Sequence, residues 1–451
     1  MSQLTIFDET SHQVEKNNTN QTLNVDLPIH RWYQFVLGYP PHLVQYYLEK
    51  FNINKDHIVL DPFCGTGTTN VECLKNRITN YGVEGNLFAC FASQVKTTVS
   101  LNIDELRDYL GYICQSLCLS FEQLDIKDPL PLSQQITTSK TPLVVDNIPT
   151  ISSEKQKLIP KGFISPKPLQ KVLIAKEIIN TIRDTDIRAF FILSLANVIV
   201  KNASNIGFGP EIYQKKAKDD VEFLSFYTFN TLTMLEDLRI YNGHNAISTI
   251  IRGDARKLEQ SLSKDLFQKV DCVITSPPYP NEKDYTRSTR LESVLLDFLN
   301  TKKELRHLKE YLLRSNSRNI FVSDRDGENI KQFQHICELA DEIEEKRIAL
   351  KKNSGFEKQY HKIVRHYFGG MFLHLRSLKP FLAKHAKLAY VVGDQMSFFR
   401  TLIPTAALLA EIAEYLGFNV LEIELWRRRL ATATKQQIDE NVLILENLNG
   451  I

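Results

Sequence analysis

His57-Ile-Val-Leu-Asp-Pro-Phe-Cys-Gly-Thr-Gly-Thr-Thr69 is a short apolar run that stops at a glycine-rich turn and passes into a helical pattern reaching about Arg77. That is strand, turn, helix. A second apolar run at Tyr81 to Val83 ends on Glu84, which completes the start of a βαβ unit. Gly65 and Gly67 lie where the strand hands over to the helix, and a residue without Cβ lets the backbone come close to a ligand there. A plain structural turn is the competing reading of a lone G-x-G.

Working outward, the same grammar recurs downstream. Ser248 to Ile251 ends at Gly253-Asp254, Val270 to Thr275 ends at Ser276-Pro277-Pro278-Tyr279, and Leu388 to Val392 closes at Gly393-Asp394. Val420 to Trp426 and Val442 to Leu445 are expected to be two strands flanking a basic loop, a closing antiparallel hairpin. The pattern predicts an α/β fold: a doubly wound, mostly parallel sheet with a C-terminal antiparallel hairpin and helical insertions. In such sheets ligands sit at the carboxyl ends of strands.

Between the strands the character changes. Residues 101–244 are expected to form a helical insertion, with a Pro-, Ser- and Thr-rich irregular stretch at 120–163 followed by helical periodicities through 169–182, 187–199 and 221–239. A smaller, charged and mostly helical insertion is expected at 296–366. Residues 1–26 are polar and rich in Asn, Thr and Gln, without the pattern of a secretion signal, and are expected to be a flexible tail on a cytoplasmic protein. The sheet-bearing parts are then 27–100 and 245–451.

At 451 residues the chain is about twice what one core usually fills, which agrees with inserted segments. No apolar run approaches the ~20 residues of a membrane span. Seven scattered cysteines lack paired spacing, so neither a disulfide frame nor a metal site is expected, and Cys114 with Cys118 is better explained by packing than by ligation. The net charge of +2 neither supports nor excludes a polyanionic partner, so local basic clusters carry that question.

Glu84 has the position of the strand-end acid that accepts hydrogen bonds from ribose hydroxyls, with a solvated carboxylate as the alternative. Asp254 is suited either to accept from an adenine amino group or to cap a helix before Ala255-Arg256. The sequence lacks the lysine of a phosphate-binding loop, which leaves a nucleoside triphosphate poorly served. Ser276-Pro277-Pro278-Tyr279 is the most specific signal. Two prolines stiffen the backbone and remove two N–H donors, so the Ser276 hydroxyl and the Pro277 carbonyl are candidate acceptors for the two hydrogens of an amino group. Tyr279 offers a flat face for stacking, against the alternative of a proline-rich turn with a buried tyrosine.

Asp61-Pro62-Phe63-Cys64-Gly65-Thr66-Gly67-Thr68-Thr69 together with Ser276-Pro277-Pro278-Tyr279 resembles the S-adenosylmethionine-dependent DNA amino-methyltransferases, specifically the cytosine-N4 type. Tyr39-Pro40-Pro41, Arg290-Leu291-Glu292 and Val391-Val392-Gly393-Asp394 are similar to further elements of that family, so the resemblance spans roughly 28–90 and 245–446. It implies a Rossmann-like fold and S-adenosylmethionine bound by Tyr39, Pro40, Asp61, Pro62, Phe63, Gly65, Gly67, Thr68 and Thr69, and the strand-end positions of Glu84, Asp254 and Ala255 add these to the expected cofactor site. Catalysis at Ser276 to Tyr279 is implied too, on a base flipped out of double-stranded DNA. A restriction-modification or other self-marking role, with a cognate restriction endonuclease, follows from the resemblance alone. Ser rather than Asp before Pro-Pro-Tyr favours cytosine N4 over adenine N6; an RNA methyltransferase and a non-catalytic DNA-binding subunit are the rival readings.

Arg287, Arg290, Arg427, Arg428 and Arg429 are the expected phosphate contacts, with Arg314, Arg318 and Lys435 as further basic candidates. Trp426 has the choice of packing or stacking. The segment from Asn202 to Tyr213 is a candidate base-reading loop, and the insertion at 101–244 the candidate DNA-recognition unit.

Overall fold

Val59 and Leu60 are wholly buried, and a short apolar strand of this kind is stable only between two neighbours. The computed structural model describes residues 27–34, 38–128, 136–209, 212–241, 243, 246–430 and 436–448. The expected tail at 1–26 and Lys435 lie outside the described residues.

Seven strands form the main sheet: β1 (Ile58–Asp61), β2 (Thr79–Glu84), β3 (Ser248–Arg252), β4 (Val270–Thr275), β5 (Leu382–Gly393), β6 (Asn419–Leu430) and β7 (Gln437–Glu446). Their order is β3-β2-β1-β4-β5-β7-β6. The first five are parallel, and β7 runs antiparallel to both β5 and β6. The chain winds from β1 out to β3 and then returns to β4 on the other side of β1. This reversal is a topological switch point, where the strand ends open a crevice. The fold is α/β and Rossmann-like, with the closing hairpin foreseen in the sequence.

Strand alternation sends the apolar side chains to two cores. Val59, Cys272, Ile274, Ala389 and Val391 face one layer with Leu43, Val44 and Tyr47 of α1 (Pro41–Lys50). Leu60, Val273, Leu388, Tyr390 and Val392 face the opposite layer, where helices Tyr360–Leu378 and Thr405–Tyr415 pack. Two further helices, α2 (Thr68–Lys75) and α3 (Leu87–Thr97), follow β1 and β2 directly.

The segment expected to be inserted is helical: α4 (Ile103–Gln123) is capped by the Asn102 side chain, and helices Pro166–Asn180, Thr185–Val198 and Phe223–Tyr241 follow. Its apolar core runs without a break into Trp32, Tyr33, Val71, Phe88 and Leu291 of the sheet-bearing part. Cys114 lies inside it, against the Thr228 hydroxyl. No helix among the described residues is long and apolar enough to cross a membrane.

Three local expectations are corrected. The supposed loop from Asn202 to Tyr213 carries a small antiparallel hairpin, Ile206–Phe208 with Ile212–Gln214. There Asn205 is buried, donating to the Gly162 carbonyl and Ser165 and accepting from Lys218 N–H, so this side chain closes the fold instead of facing a partner. Arg427, Arg428 and Arg429 lie within β6, not in a loop, because Glu440 and Asp439 of β7 stand opposite Arg427 and Arg428 and allow the ladder to continue. Arg314 is buried, its guanidinium paired with Asp324 and with backbone carbonyls, and so is spent internally.

Candidate active site

β1 ends in Asp61, a fully buried carboxylate that accepts from Thr275 Oγ1 of β4 (2.6 Å), Tyr39 OH (2.7 Å) and Phe63 N–H (3.0 Å). Thr69 Oγ1 donates to the Ile274 carbonyl at 3.0 Å. These bonds staple the two central strands together directly under the glycine turn. Burial raises the Asp61 carboxyl to about 6 in spite of them. The two glycines then differ in purpose. Gly67 has φ +84°, and a Cβ there would stand 2.5 Å from Ser93 Oγ, so it is needed for the approach of α3. Gly65 has φ +53° and open space where its Cβ would be. Lys96, also buried, supports the turn from behind by donating to the Thr66 and Tyr33 carbonyls.

Glu84, at the end of β2, accepts Gly65 N–H at 2.8 Å and Asn86 N–H at 2.7 Å, while burial pushes its carboxyl up to about 7. Asp254, past β3, forks onto its own neighbour: Arg256 Nε lies at 2.9 Å and Nη2 at 2.7 Å, and Arg256 also reaches Asp326. No α-helix starts there, so its turn-forming bond with Arg256 N–H (2.9 Å) is not a helix cap. Behind it, the Ala255 carbonyl is 2.8 Å from His374 Nδ1, and His374 Nε2 lies 2.7 Å from Tyr390 OH. Burial lowers His374 to about 4, so the ring is neutral, with Nδ1–H donating and Nε2 accepting.

Opposite stands the proline loop that follows β4. Ser276 Oγ donates its hydrogen to the Val391 carbonyl of β5 at 3.0 Å, which leaves only acceptor lone pairs on that oxygen. Tyr279 is braced on three sides. Its N–H donates to Tyr285 OH (3.1 Å), its hydroxyl donates to Glu440 Oε1 (3.1 Å), and its ring lies against Gly393, where a Cβ would come within 3.0 Å of it. Glu440 in turn pairs with Arg427 Nε at 2.5 Å, and Arg429 Nη2 donates to the Asp394 carbonyl at 2.6 Å. Burial holds the Tyr279 hydroxyl well above its ordinary range, so it is a neutral donor.

Both halves face one cleft of about 300 Å³. Of the residues singled out from sequence, Tyr39, Pro62, Phe63, Gly65, Thr68, Glu84, Asp254, Ala255, Ser276, Pro277, Pro278, Tyr279, Arg427 and Arg429 line it. The others do not line it. Pro40 caps α1, while Asp61, Gly67 and Thr69 form the layer beneath the turn. Arg290 is half-buried with Nη2 on Thr286 Oγ1, Arg287 follows Thr286 in the short helix Tyr285–Ser288, and Arg428 is exposed beside Asp439. Trp426 is fully buried against His42 and Tyr46, so it packs.

The cleft also holds Arg256, Lys283, Tyr285, Tyr311, Asn319 and Glu440, which sequence reasoning did not select. Tyr285 had a signal, a second aromatic six positions after Tyr279. Glu440 and Asn319 had none, since only the fold brings them there.

These residues fit S-adenosylmethionine. The open side of Gly65 admits a ligand against the backbone, Glu84 retains lone pairs for hydroxyl donors, and Pro62, Phe63 and Ala89 give an apolar wall for a nucleoside. No family model matches the chain. It is similar to the type II methyltransferase M.BsoBI of Geobacillus stearothermophilus, 24% identical over 94% of this chain and 86% of the relative. The type II methyltransferase M.AvaI of Nostoc sp. is 21% identical over 89% of this chain and 81% of its own length, and M.MvaI of Kocuria varians is 24% identical over 70% and 71%. Fold, cleft and relatives agree: the chain is similar to type II methyltransferases along most of its length and has a Rossmann-like fold, and its methyl donor is S-adenosylmethionine.

Proposed function

We propose that this protein methylates double-stranded DNA at a defined sequence, placing the methyl group on the exocyclic N4 amino group of a cytosine turned out of the helix into the cleft. The observation that carries the reading is the Ser276 hydroxyl. Its hydrogen is committed to Val391, so the oxygen can only accept at the mouth of a loop whose two prolines contribute no N–H donors. An amino group, with two hydrogens to give, is the ligand that such a site suits.

S-adenosylmethionine, when bound, supplies an electrophilic methyl group on a positively charged sulfur. Pro62, Phe63, Gly65, Thr68, Glu84, Asp254 and Ala255 would hold it. Ser276 Oγ and the Pro277 carbonyl hold the amino hydrogens and so turn the nitrogen lone pair away from the base ring. Tyr279, fixed by Glu440, Tyr285 and Gly393, gives the base a rigid face to stack on. Holding the two reactants in line can be worth roughly 7 to 11 kcal/mol. Arg427 and Arg429, which line the cleft, and Arg287, Arg290 and Arg428, which do not, are the proposed phosphate contacts. The helical segment 101–244 and the stretch 296–366 are the proposed DNA grip. A type II relative also gives reason to expect a cognate restriction endonuclease that this modification blocks.

Sequencing modified bases in DNA from cells that express the chain tests the whole reading. N4-methylcytosine at one recurring site is the expected result. N6-methyladenine there would move the target to adenine, and absence of any new DNA modification, with methyl transfer to RNA by the purified protein, would end it.

A further inference from the structure

We infer that Asn319 is a base-reading residue, whose side-chain amide hydrogen-bonds the edge of the nucleotide base turned into the cleft. The inference rests on the DNA-methyltransferase reading and adds a residue to it. Asn319 is 1% exposed and lines the cleft, and neither its Oδ1 nor its Nδ2 finds a hydrogen-bond partner among the described residues. A buried amide left in that state is costly, and such groups are rare in folded proteins.

Its surroundings are not loosely built. Asn316 Nδ2 donates to the Lys283 carbonyl (3.1 Å), Ser317 N–H donates to Glu282 Oε2 (2.8 Å), and Glu282 N–H donates to the Ser315 carbonyl (3.3 Å). Asn316 Oδ1 accepts Arg318 N–H at 3.0 Å, and Asn319 N–H itself bonds the Asn316 carbonyl at 3.1 Å. The equally buried Asn316 thus uses both ends of its amide, whereas Asn319, three residues on, uses neither. The same staples place the turn against residues 282–283, just beyond Tyr279, so Asn319 belongs to the wall that continues the proline loop. An amide there offers one acceptor and two donor hydrogens, which complements the mixed acceptor and amino edge of a base.

The test uses the full chain as wild type, Asn319→Ala and Asn319→Asp, the last keeping shape and acceptor while removing the donors. Affinity for S-adenosylmethionine is measured by titration, and methyl transfer to unmethylated plasmid DNA by isotope incorporation. Loss of a good base contact is expected to lower transfer roughly ten- to a hundred-fold in both variants, with cofactor affinity within about twofold of wild type. Once the methylated position is mapped, binding is compared on a duplex carrying the intact base and on one with an abasic site there. The variants should bind the first more weakly than wild type and the second equally well. A defect that persists on the abasic duplex, an equal loss of cofactor affinity, or unchanged transfer by either variant overturns the assignment of Asn319 while leaving the methyltransferase reading intact. A wild-type chain that modifies no DNA removes both.

Discussion

Glu84 must satisfy two demands at one carboxylate: it holds the glycine turn through Gly65 N–H and faces the cleft. Its carboxyl, at about 7, stands above the ordinary value of 4.5, so the folded protein favours the protonated form. The stability that this shift contributes is therefore present below pH ~4.5 and is lost as pH rises through about 7. Glu84→Gln, which cannot ionise, should lose less unfolding free energy than wild type between pH 5 and 8 in denaturant titrations. Ribose hydroxyls prefer a charged acceptor, so wild-type affinity for S-adenosylmethionine should rise across pH 6 to 8. In the glutamine variant it should be flat and, above pH 8, about ten-fold weaker; a parallel rise in both proteins would remove Glu84 from the cofactor site. Tyr279 permits a second separation. Tyr279→Ala should cut methyl transfer about a hundred-fold with cofactor affinity unchanged, whereas Tyr279→Phe, which keeps the stacking face and loses only the bond to Glu440, should cost less than ten-fold. Equal losses in transfer and cofactor binding for the alanine variant would place Tyr279 at the cofactor instead.

The turn between β1 and α2 contains two glycines that look alike in the sequence and differ in the structure. Both have positive φ, which costs a side chain roughly 1–2 kcal/mol. Gly67→Ala adds a collision with Ser93 of α3 and should destabilise the protein further than Gly65→Ala, a difference that thermal or denaturant midpoints can order. Midpoints in the reverse order would mean that α3 yields easily. This turn was legible in the sequence because its information is local: an apolar run, glycines and a helical pattern, all within residues 57–77. Likewise the ends of β2, β4 and β5 were marked by Glu84, Ser276 and Gly393, each at the end of its own strand or one residue past it. What escaped was whatever depends on a distant partner. Arg427 and Arg428 remain in β6 opposite acids more than ten residues later, and Asp61, expected at the cofactor, is occupied by Thr275 and Tyr39 from other elements. Helix α4 did carry a local mark, Asn102 followed by Asp104 and Glu105 in its first turn, which periodicity through the insertion did not exploit.

At the scale of the molecule, the segment from residue 101 to 244 looks like an accessory in the sequence, yet its apolar core continues beneath α3 and into the chain before α1. Asp237, near the end of the insertion's last helix, makes the join specific. Fully buried, its carboxylate accepts Ile29 N–H and Trp32 Nε1–H, both at 2.9 Å, and pairs with the Arg31 guanidinium, which lies more than two hundred positions away. Removing this acceptor leaves the buried Ile29 N–H and Trp32 Nε1–H unpaired, at a cost of about 1–3 kcal/mol each, whereas the partly exposed Arg31 can turn to water. Asp237→Ala should therefore lower the denaturation midpoint of the entire protein in a single transition, because the insertion shares one core with α2 and α3, the helices that follow β1 and β2. Two transitions, with the sheet-bearing part surviving the first, would show instead that the inserted helices fold as a separate unit. At temperatures where the variant remains folded, its cofactor affinity should match wild type, since Asp237 does not line the cleft. If the insertion grips DNA as proposed, the core that it shares with α2 and α3 would let it pass strain to the cofactor side of the fold, which a loosely tethered domain could not do.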